Sequence, residues 1–277
     1  MRGRACYNCG STEQQPYAEE NGYALVKCAT CGLLFVADPP KPTQISDAVR
    51  EGTHVGVHEL KVTGRFHPEF VPRHKAKLEE LFGDDLDAKR SWLDVGCGHG
   101  EFIQALSESA SGITVRGMEP NVHKVASARS HGLDVETFAL ETHAGRYDVV
   151  SLLDVYSHLP DPPALLTTLR GLLNPGGELL LQTGDAADLP VEDQFRPFGL
   201  PDHLSFASER IVMSILTRLG FTIVTVRKYS YLGLDARSIA KEVVKLFLPK
   251  YTSKLGAYGR WKKFSQSNMY IRARLGT

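Results

Sequence analysis

The sequence lacks an excess of charge of either sign, because its 277 residues include 32 Lys+Arg and 32 Asp+Glu. A generic nucleic-acid-binding protein usually carries a positive excess, so the composition disfavours that class. The sequence also has no uninterrupted apolar run of about 18 residues, which a membrane-spanning helix requires. The N-terminal segment MRGRACYNCG contains no apolar stretch of the kind that a secretory signal peptide has. These absences predict a cytoplasmic protein with no membrane span.

Cysteine is scarce, and four of the five cysteines stand in two C-x-x-C pairs, Cys6 with Cys9 and Cys28 with Cys31. An odd total with this paired spacing disfavours a disulfide framework and is typical of a four-thiolate zinc site on a zinc ribbon. Four thiolates leave no open position for water or substrate, so we expect a structural Zn²⁺. Two roles stay open, substrate recognition and stabilisation of the fold. The second is favoured because so short a segment buries little core.

The longer part of the chain alternates between strand-like and helix-like segments, which predicts a doubly wound α/β sheet. A strand at 91–95 leads into a G-x-G-x-G loop, and the next strand ends in Glu119, whose carboxylate can accept hydrogen bonds from two ribose hydroxyls. The dinucleotide fingerprint would need a third glycine where this chain has Glu101. A glutamate at a helix N-terminus disfavours a pyrophosphate, so the loop favours a ligand without phosphates, such as adenosine linked to methionine.

Four segments in this order resemble motifs of class I S-adenosylmethionine-dependent methyltransferases: LDVGCGHGEF at 93–102, GMEPN at 117–121, YDVVSLLDVYSHLPDP at 147–162 and NPGGELLLQT at 174–183. The resemblance covers roughly residues 70–227. It implies a Rossmann-like, mostly parallel seven-stranded α/β sheet with S-adenosylmethionine as the cofactor. Cofactor-binding residues implied by the motifs are Asp94, Gly96, Cys97, Gly98, Gly100, Glu119, Pro120, Leu140 (through its backbone) and Asp154.

The order of these features divides the chain into three predicted parts. A zinc ribbon at 1–38 is followed by a linker and N-terminal helical segment at 39–75, and then by a methyltransferase domain at 76–277. Residues 43–75 show no clean periodicity. The histidines of that stretch have spacings that suit no metal site, and we expect them at the surface or facing substrate: His54, His58, His67 and His74.

Two histidines are candidates for a general base, which methylation of a hydroxyl or an acidic carbon requires. His203 lies between the fifth strand and the next helix, and His158 follows the fourth strand. Each has a plainer interpretation, since His203 could brace the helix near Ser208 and His158 could hydrogen-bond its own loop. The Asp202–His203 pair resembles sugar C-methyltransferases, which also carry a zinc ribbon. Those enzymes have a tyrosine where this chain has Leu200, so O-methylation and C-methylation both stay open.

A basic stretch at 237–263 holds eight Lys/Arg and one glutamate. It predicts a basic helical insertion at about 235–265, either a solvated helix or a lid over a phosphorylated or nucleotide-linked acceptor. The segment at 269–275 then predicts a final strand at the edge of the sheet.

Taken together, the sequence predicts a methyltransferase that acts on a small biosynthetic molecule, a sugar or nucleotide-linked sugar, by O- or C-methylation. The alternative enzyme is an RNA methyltransferase that binds RNA through the zinc ribbon and the basic stretch. The neutral net charge and the absence of an Asn/Asp-Pro-Pro-Tyr-type motif disfavour it. A third class, a binding module that keeps the fold without catalysis, is disfavoured by the intact glycine loop and Glu119.

Overall fold

The computed structural model describes residues 4–138, 140, 143–191, 194, 196–229 and 268–276. The predicted basic insertion at about 235–265 lies outside the described residues. The helices are α1 (Pro42–Glu51), α2 (Val71–Phe82), α3 (Glu101–Ser109), α4 (Val122–Ser130), α5 (Pro162–Gly171) and α6 (Glu209–Arg218). The strands are β1 (Gln14–Glu20), β2 (Tyr23–Cys28), β3 (Leu34–Val36), β4 (Thr53–Val55), β5 (Glu59–Lys61), β6 (Ser91–Val95), β7 (Thr114–Glu119), β8 (Val135–Thr137), β9 (Tyr147–Leu153), β10 (Leu173–Gly184), β11 (Ser205–Phe206), β12 (Phe221–Tyr229) and β13 (Asn268–Leu275).

Seven strands form the central sheet, in the order β12-β13-β10-β9-β6-β7-β8. The pairs from β10 to β8 are parallel, and β13 runs antiparallel to both of its neighbours. Strands β6 and β9 carry nearly continuous buried residues, as expected for strands covered by helices on both faces. The predicted fold class is confirmed. Because parallel strands end at the same edge, the loops that follow β6, β7, β9 and β10 converge there.

Strand β13 lies inside the sheet, between β10 and β12, so the predicted edge position is wrong. The inward position brings Arg272, 3% exposed, against the fully buried Glu178 of β10. Arg272 Nε donates to Glu178 Oε2 over 2.9 Å. A buried carboxylate needs such a partner, and β13 supplies it from its position next to β10.

The N-terminal segment, residues 4–36, is called the cysteine module below. Its strands form a second sheet in the order β1-β2-β3-β11, so the fourth strand comes from the methyltransferase part of the chain. Ser205 and Phe206 pair antiparallel with Phe35 and Leu34. The predicted boundary at residue 38 remains a prediction, but the sheet itself crosses it.

The stretch without clean periodicity is more regular than the sequence indicated. Helix α1 begins at Pro42, and Gly52 ends it in the left-handed conformation, with φ 71°. A short hairpin follows, β4 paired with β5, and it places His54 in the interior at 3% exposure. No helix in the described ranges is long and apolar enough to cross a bilayer.

Candidate active site

The glycine loop after β6 has the backbone that a close-approaching ligand needs. Gly96, Gly98 and Gly100 all have positive φ, which L residues rarely adopt. A Cβ at Gly96 would lie 2.3 Å from Val155 Cγ2, so that glycine is required for packing against the end of β9. A Cβ at Gly98 would meet no protein atom within 4 Å. The loop therefore leaves open space at Gly98.

Two buried carboxylates support this loop. Glu119, 4% exposed, accepts hydrogen bonds from the Gly98 and Asn121 backbone N–H groups, each over 2.9 Å. Ser151 Oγ donates to Asp94 Oδ1 over 2.5 Å. Burial raises the pKa of Asp94 to about 7, with a smaller contribution from the nearby Glu119 charge. The structure thus holds Glu119 at the end of β7, beside the loop, as the sequence predicts.

The other residues predicted for the cofactor lie at the same edge of the sheet. Cys97 is buried within the loop, Pro120 follows β7, Leu140 is buried beyond β8, and Asp154 follows β9 with φ 56°. Burial raises the pKa of the Asp154 carboxyl.

Gln182 of β10 is a site residue that the sequence did not single out. Its Nε2 donates to Asp154 Oδ1 and to Asn268 Oδ1, each over 2.5 Å. Its Oε1 is buried and has no hydrogen-bond partner among the described residues. An orphaned acceptor beside Asp154 and open space at Gly98 both fit an S-adenosylmethionine whose ammonium group can donate.

A cavity of about 540 Å³ opens next to this region, a size within the usual range for small-molecule sites. Asp154 in its wall is adjacent in the chain to Val155, whose side chain packs on Gly96 of the glycine loop. Both candidate bases lie in the wall. The described lining residues are Asp154, Ser157, His158, Gln182, Thr183, Gly184, Ala186, Gln194, Arg196, Pro197, Phe198, His203, Phe206 and Asn268.

His158 is oriented by a carboxylate. Its Nδ1 lies 3.1 Å from Asp202 Oδ1 and 2.9 Å from the Asp202 carbonyl oxygen, so Nδ1 carries the proton and donates. Burial opposes the charged ring, but the Asp202 hydrogen bond and charge outweigh it and raise the pKa of His158 above its usual 6.5. Burial would likewise raise the pKa of Asp202, yet the two facing histidines His158 and His54 hold it well below its usual range.

His54 is the second ring beside Asp202, and it is buried, so the predicted position at the surface or facing substrate is wrong for this histidine. Its Nε2 lies 3.0 Å from Asp202 Oδ1, within ion-pair distance but off the axis of a hydrogen bond. The side chain is almost completely buried, whereas a quarter of the His158 side chain is accessible. His54 therefore packs behind the carboxylate, and His158 faces the cavity.

His203 differs from His158 in its electrostatic surroundings. Its ring stacks on His158, with centroids 4.3 Å apart and planes 29° apart, and its Nδ1 lies 2.9 Å from Ser157 Oγ. Burial, together with the His158 charge, lowers the pKa of His203 to about 4. His203 is thus neutral at pH 7, a proton acceptor of low basicity.

His158, Asp202 and His203 have potential metal-ligand atoms within 4.8 Å of one another. Stacked rings, however, direct their in-plane lone pairs side by side rather than toward one point, so this cluster does not suit a shared metal ion. Leu200, which stands where sugar C-methyltransferases have a tyrosine, is buried in the hydrophobic core and is not part of the described cavity wall.

The four cysteines of the module come together as their spacing predicts. Their sulfur atoms all lie within 4.8 Å of one another, and Sγ–Sγ distances are 3.5 Å for both Cys6–Cys31 and Cys9–Cys28. These separations exceed a disulfide bond and are close to the ~3.8 Å expected between ligands of a tetrahedral Zn–S₄ centre with bonds of about 2.3 Å.

A seven-stranded sheet with one reversed strand, a glycine loop after its first central strand and an acidic residue ending the next define a class I methyltransferase that uses S-adenosylmethionine. The profile of the family described as "Methyltransferase domain" matches residues 68–226, and the chain belongs to that family.

Two relatives and one solved structure indicate how far the similarity extends. The chain is 33% identical to the ubiquinone biosynthesis O-methyltransferase of Vibrio parahaemolyticus over 188 residues, 56% of this chain and 77% of that protein. It is 35% identical to the enzyme of the same name from Escherichia coli O157:H7 over 136 residues, 45% of this chain and 53% of that protein. The Haemonchus contortus phosphoethanolamine N-methyltransferase 2 structure superimposes with a TM-score of 0.58 at 18% identity, covering 74% of this chain and 53% of that one, and shows the shared fold.

Proposed function

We propose that this enzyme transfers a methyl group from S-adenosylmethionine to a hydroxyl of a small ring-containing molecule, with the His158–Asp202 pair as the general base. The observation that carries the proposal is the position of this pair. His158 lies in the wall of the cavity, and Asp202 holds its Nδ1 from outside the described lining. The names of the relatives, which are O-methyltransferases, support the choice of oxygen over carbon.

The cofactor-binding residues would be those at the carboxyl edge of the sheet. Glu119 accepts hydrogen bonds from the ribose hydroxyls, the glycine loop borders the methionine part, and the free Gln182 Oε1 accepts from the ammonium group. When bound, S-adenosylmethionine supplies an activated methyl group on a sulfonium.

The chain's own contribution is positioning and proton removal. Transfer to oxygen is an in-line displacement, and holding the acceptor in line can contribute about 7–11 kcal/mol in favourable cases. Asp202 fixes the tautomer of His158 so that Nε2 presents its lone pair to the cavity, where it accepts the hydroxyl proton. A base with a pKa near the operating pH is more effective than one near 4, so His158 suits this role better than the neutral, weakly basic His203.

His203 and the aromatic side chains would shape the acceptor site. Phe198 and Phe206 lie in the wall with the His203 ring, and the Arg196 guanidinium lies over the Phe198 ring at 5.1 Å. Flat faces of this kind suit a sugar or phenol ring, and Arg196 suits an anionic substituent. The acceptor class that best combines both features is a sugar or nucleotide-linked sugar, with an acidic phenol as the alternative.

Screening with labelled S-adenosylmethionine tests this proposal directly. A panel of nucleotide-linked sugars, phenols and RNA is incubated with the purified protein, and the labelled product is analysed for its new bond. We expect label on a hydroxyl oxygen of a small molecule. Label on carbon would overturn the choice of oxygen, and label only on RNA would overturn the small-molecule acceptor.

We also propose that Cys6, Cys9, Cys28 and Cys31 hold one structural Zn²⁺. The cluster geometry and the thiolate donor set support it, and the four free sulfurs lie in a module too small for a substantial core of its own. Metal analysis of protein purified without added metal should give one zinc per chain.

Gly98→Ala should weaken S-adenosylhomocysteine binding by roughly 10-fold or more, because a methyl group would occupy the space left for the ligand. Gly112→Ala is the matched control: it has a positive φ and open space as Gly98 does, but it lies away from the loop. Both variants carry a similar backbone strain of about 1–2 kcal/mol. Calorimetric titration that shows equal affinities for the two variants would contradict this placement of the cofactor.

Glu119→Ala should weaken the same binding by about 10- to 100-fold, since hydrogen bonds to a charged group contribute about 1.5–3 kcal/mol. The exposed Glu108 of α3 provides the control, Glu108→Ala. Unchanged affinity in Glu119→Ala would show that the ribose binds elsewhere.

A further inference from the structure

The loop that carries Asp202 and His203 is anchored by the cysteine module. This acceptor loop, residues 196–204, joins the region after β10 to β11. Glu20, at the end of β1, accepts three backbone hydrogen bonds from it: Phe198 N–H to Oε2 over 2.7 Å, Gly199 N–H to Oε1 over 2.7 Å and Leu200 N–H to Oε1 over 3.1 Å. Glu20 and Phe198 are 178 positions apart in sequence, so the contact joins two distant parts of the chain.

The residue at position 20 must accept hydrogen bonds from three backbone N–H groups. A carboxylate only accepts hydrogen bonds, and its two oxygens can serve three N–H groups at once. An amide would place an NH₂ group opposite one of the donors. Because hydrogen bonds to a charged acceptor are the stronger kind, the loop backbone is held at this turn by charge as well as by shape.

The other end of the acceptor loop is attached to the same module. Val36 N–H donates to the Leu204 carbonyl over 2.9 Å, and β11 pairs with β3 directly after it. Asn21, next to Glu20, donates through Nδ2 to the Leu200 carbonyl over 3.0 Å. Asp202 and His203 therefore lie between two attachments to the module.

We infer that Glu20 is a positioning residue for methyl transfer, which holds the acceptor loop so that Asp202 stays against His158 and His203 stays in the cavity wall. The inference rests on the proposed function of this site. It gives the cysteine module a part in shaping the acceptor site, beyond stabilising its own fold.

The test compares Glu20→Gln with Glu19→Gln. Glu19 is the exposed neighbour of Glu20 in β1. Glu19→Gln therefore makes the same change of charge in the same strand and serves as the control. Hydrogen–deuterium exchange of the free protein should show faster exchange at residues 198–200 in Glu20→Gln only. Zinc content, melting temperature within a few degrees and S-adenosylhomocysteine affinity should match the control.

If Glu20 served only the folding of the chain, Glu20→Gln would change neither the pKa of His158 nor the kinetics of methyl transfer. His158 faces Asp202, Asp154 and His203, with His54 on the far side of Asp202. If Asp202 retreats, the pKa of His158 should fall toward 6.5, which a histidine NMR titration measures without an acceptor. With an acceptor from the screen, kcat/KM should fall by roughly 10- to 100-fold, with a rise in acceptor KM.

Each outcome has one meaning. Unchanged exchange and an unchanged His158 titration in Glu20→Gln would overturn the anchoring, whatever the enzyme methylates. Faster exchange with unchanged kcat/KM would overturn the positioning role alone. If the wild-type protein methylates no small hydroxyl acceptor, the proposed function fails, while the exchange and titration results still decide the anchoring.

Discussion

His158→Ala is expected to lower kcat for a hydroxyl acceptor by about 10²–10⁴-fold, the usual contribution of a positioned general base. The affinity for S-adenosylhomocysteine should barely change, because His158 is not among the residues proposed to hold the cofactor. His123→Ala, at an exposed position of α4, is the control for removing a histidine. Steady-state kinetics of the three proteins check the prediction.

His203→Ala separates the two candidates that the sequence proposes. With His158 as the base, this variant should affect mainly acceptor KM, because His203 contributes a flat face to the cavity. A loss of about 100-fold in kcat here, with normal turnover in His158→Ala, would assign the base to His203.

The pH dependence of kcat/KM in the wild-type enzyme distinguishes His158 from His203 as the base without any mutation. The pKa of His158 is raised above its usual 6.5. The ring is neutral and can accept a proton above this raised pKa, and it becomes protonated as the pH falls through it. If His158 is the base, kcat/KM should therefore rise with pH through an apparent pKa above 6.5. If His203 is the base, activity should stay level down to about pH 4, because its pKa is about 4.

Asp202→Asn tests the cause of the raised pKa. Without the carboxylate, the charged form of His158 loses its partner, and the acidic limb should move to lower pH while the maximum rate falls. If the acidic limb of the pH–activity profile stayed in place, Asp202 would not control the pKa of the group that limits activity at low pH.

The second large effect is expected from the cysteine module. Cys28→Ser, or removal of the proposed Zn²⁺ by a chelator, should lower methyl transfer by about 100-fold or more. S-adenosylhomocysteine binding should be largely retained. Metal binding and folding are coupled in small zinc modules, where the ion contributes on the order of 10–16 kcal/mol. Unfolding the module removes β3 from β11 and Glu20 from the acceptor loop.

The control for this experiment is Thr12→Ser, which changes an exposed residue of the same module outside the cysteine cluster and should leave the metal content as in the wild type. Turnover is compared with calorimetric binding at equal protein concentration. Full turnover in metal-free Cys28→Ser protein would show that the module only stabilises its own fold, the interpretation that the sequence favours.

The signals that could be read from the sequence are local ones. Gly96, Gly98 and Gly100 occur at fixed spacing after a buried strand, and Glu119 follows at the end of the next. Such spacings reflect requirements on a few consecutive residues, namely positive φ and close approach of the backbone. The same holds for the two C-x-x-C pairs, whose sulfurs the structure brings together.

The alternation of strands and helices also predicts which loops share an edge of a parallel sheet, but it does not fix where the last strand inserts. Nothing local in 269–275 distinguishes an edge strand from an inner one. In the structure β13 pairs with both β10 and β12, and Arg272 contacts Glu178, a residue far away in the chain.

By itself, the sequence determined the methyltransferase fold, the cofactor loop and the cysteine cluster, because each depends on periodicity or on spacing over a short stretch of chain. Only the tertiary structure decided what surrounds the acceptor. His54, Asp202 and His158 come from three separate segments, and Glu20 reaches the acceptor loop from a fourth. The pKa difference between His158 and His203 arises from these neighbours and from burial, both of which exist only after the segments have packed together.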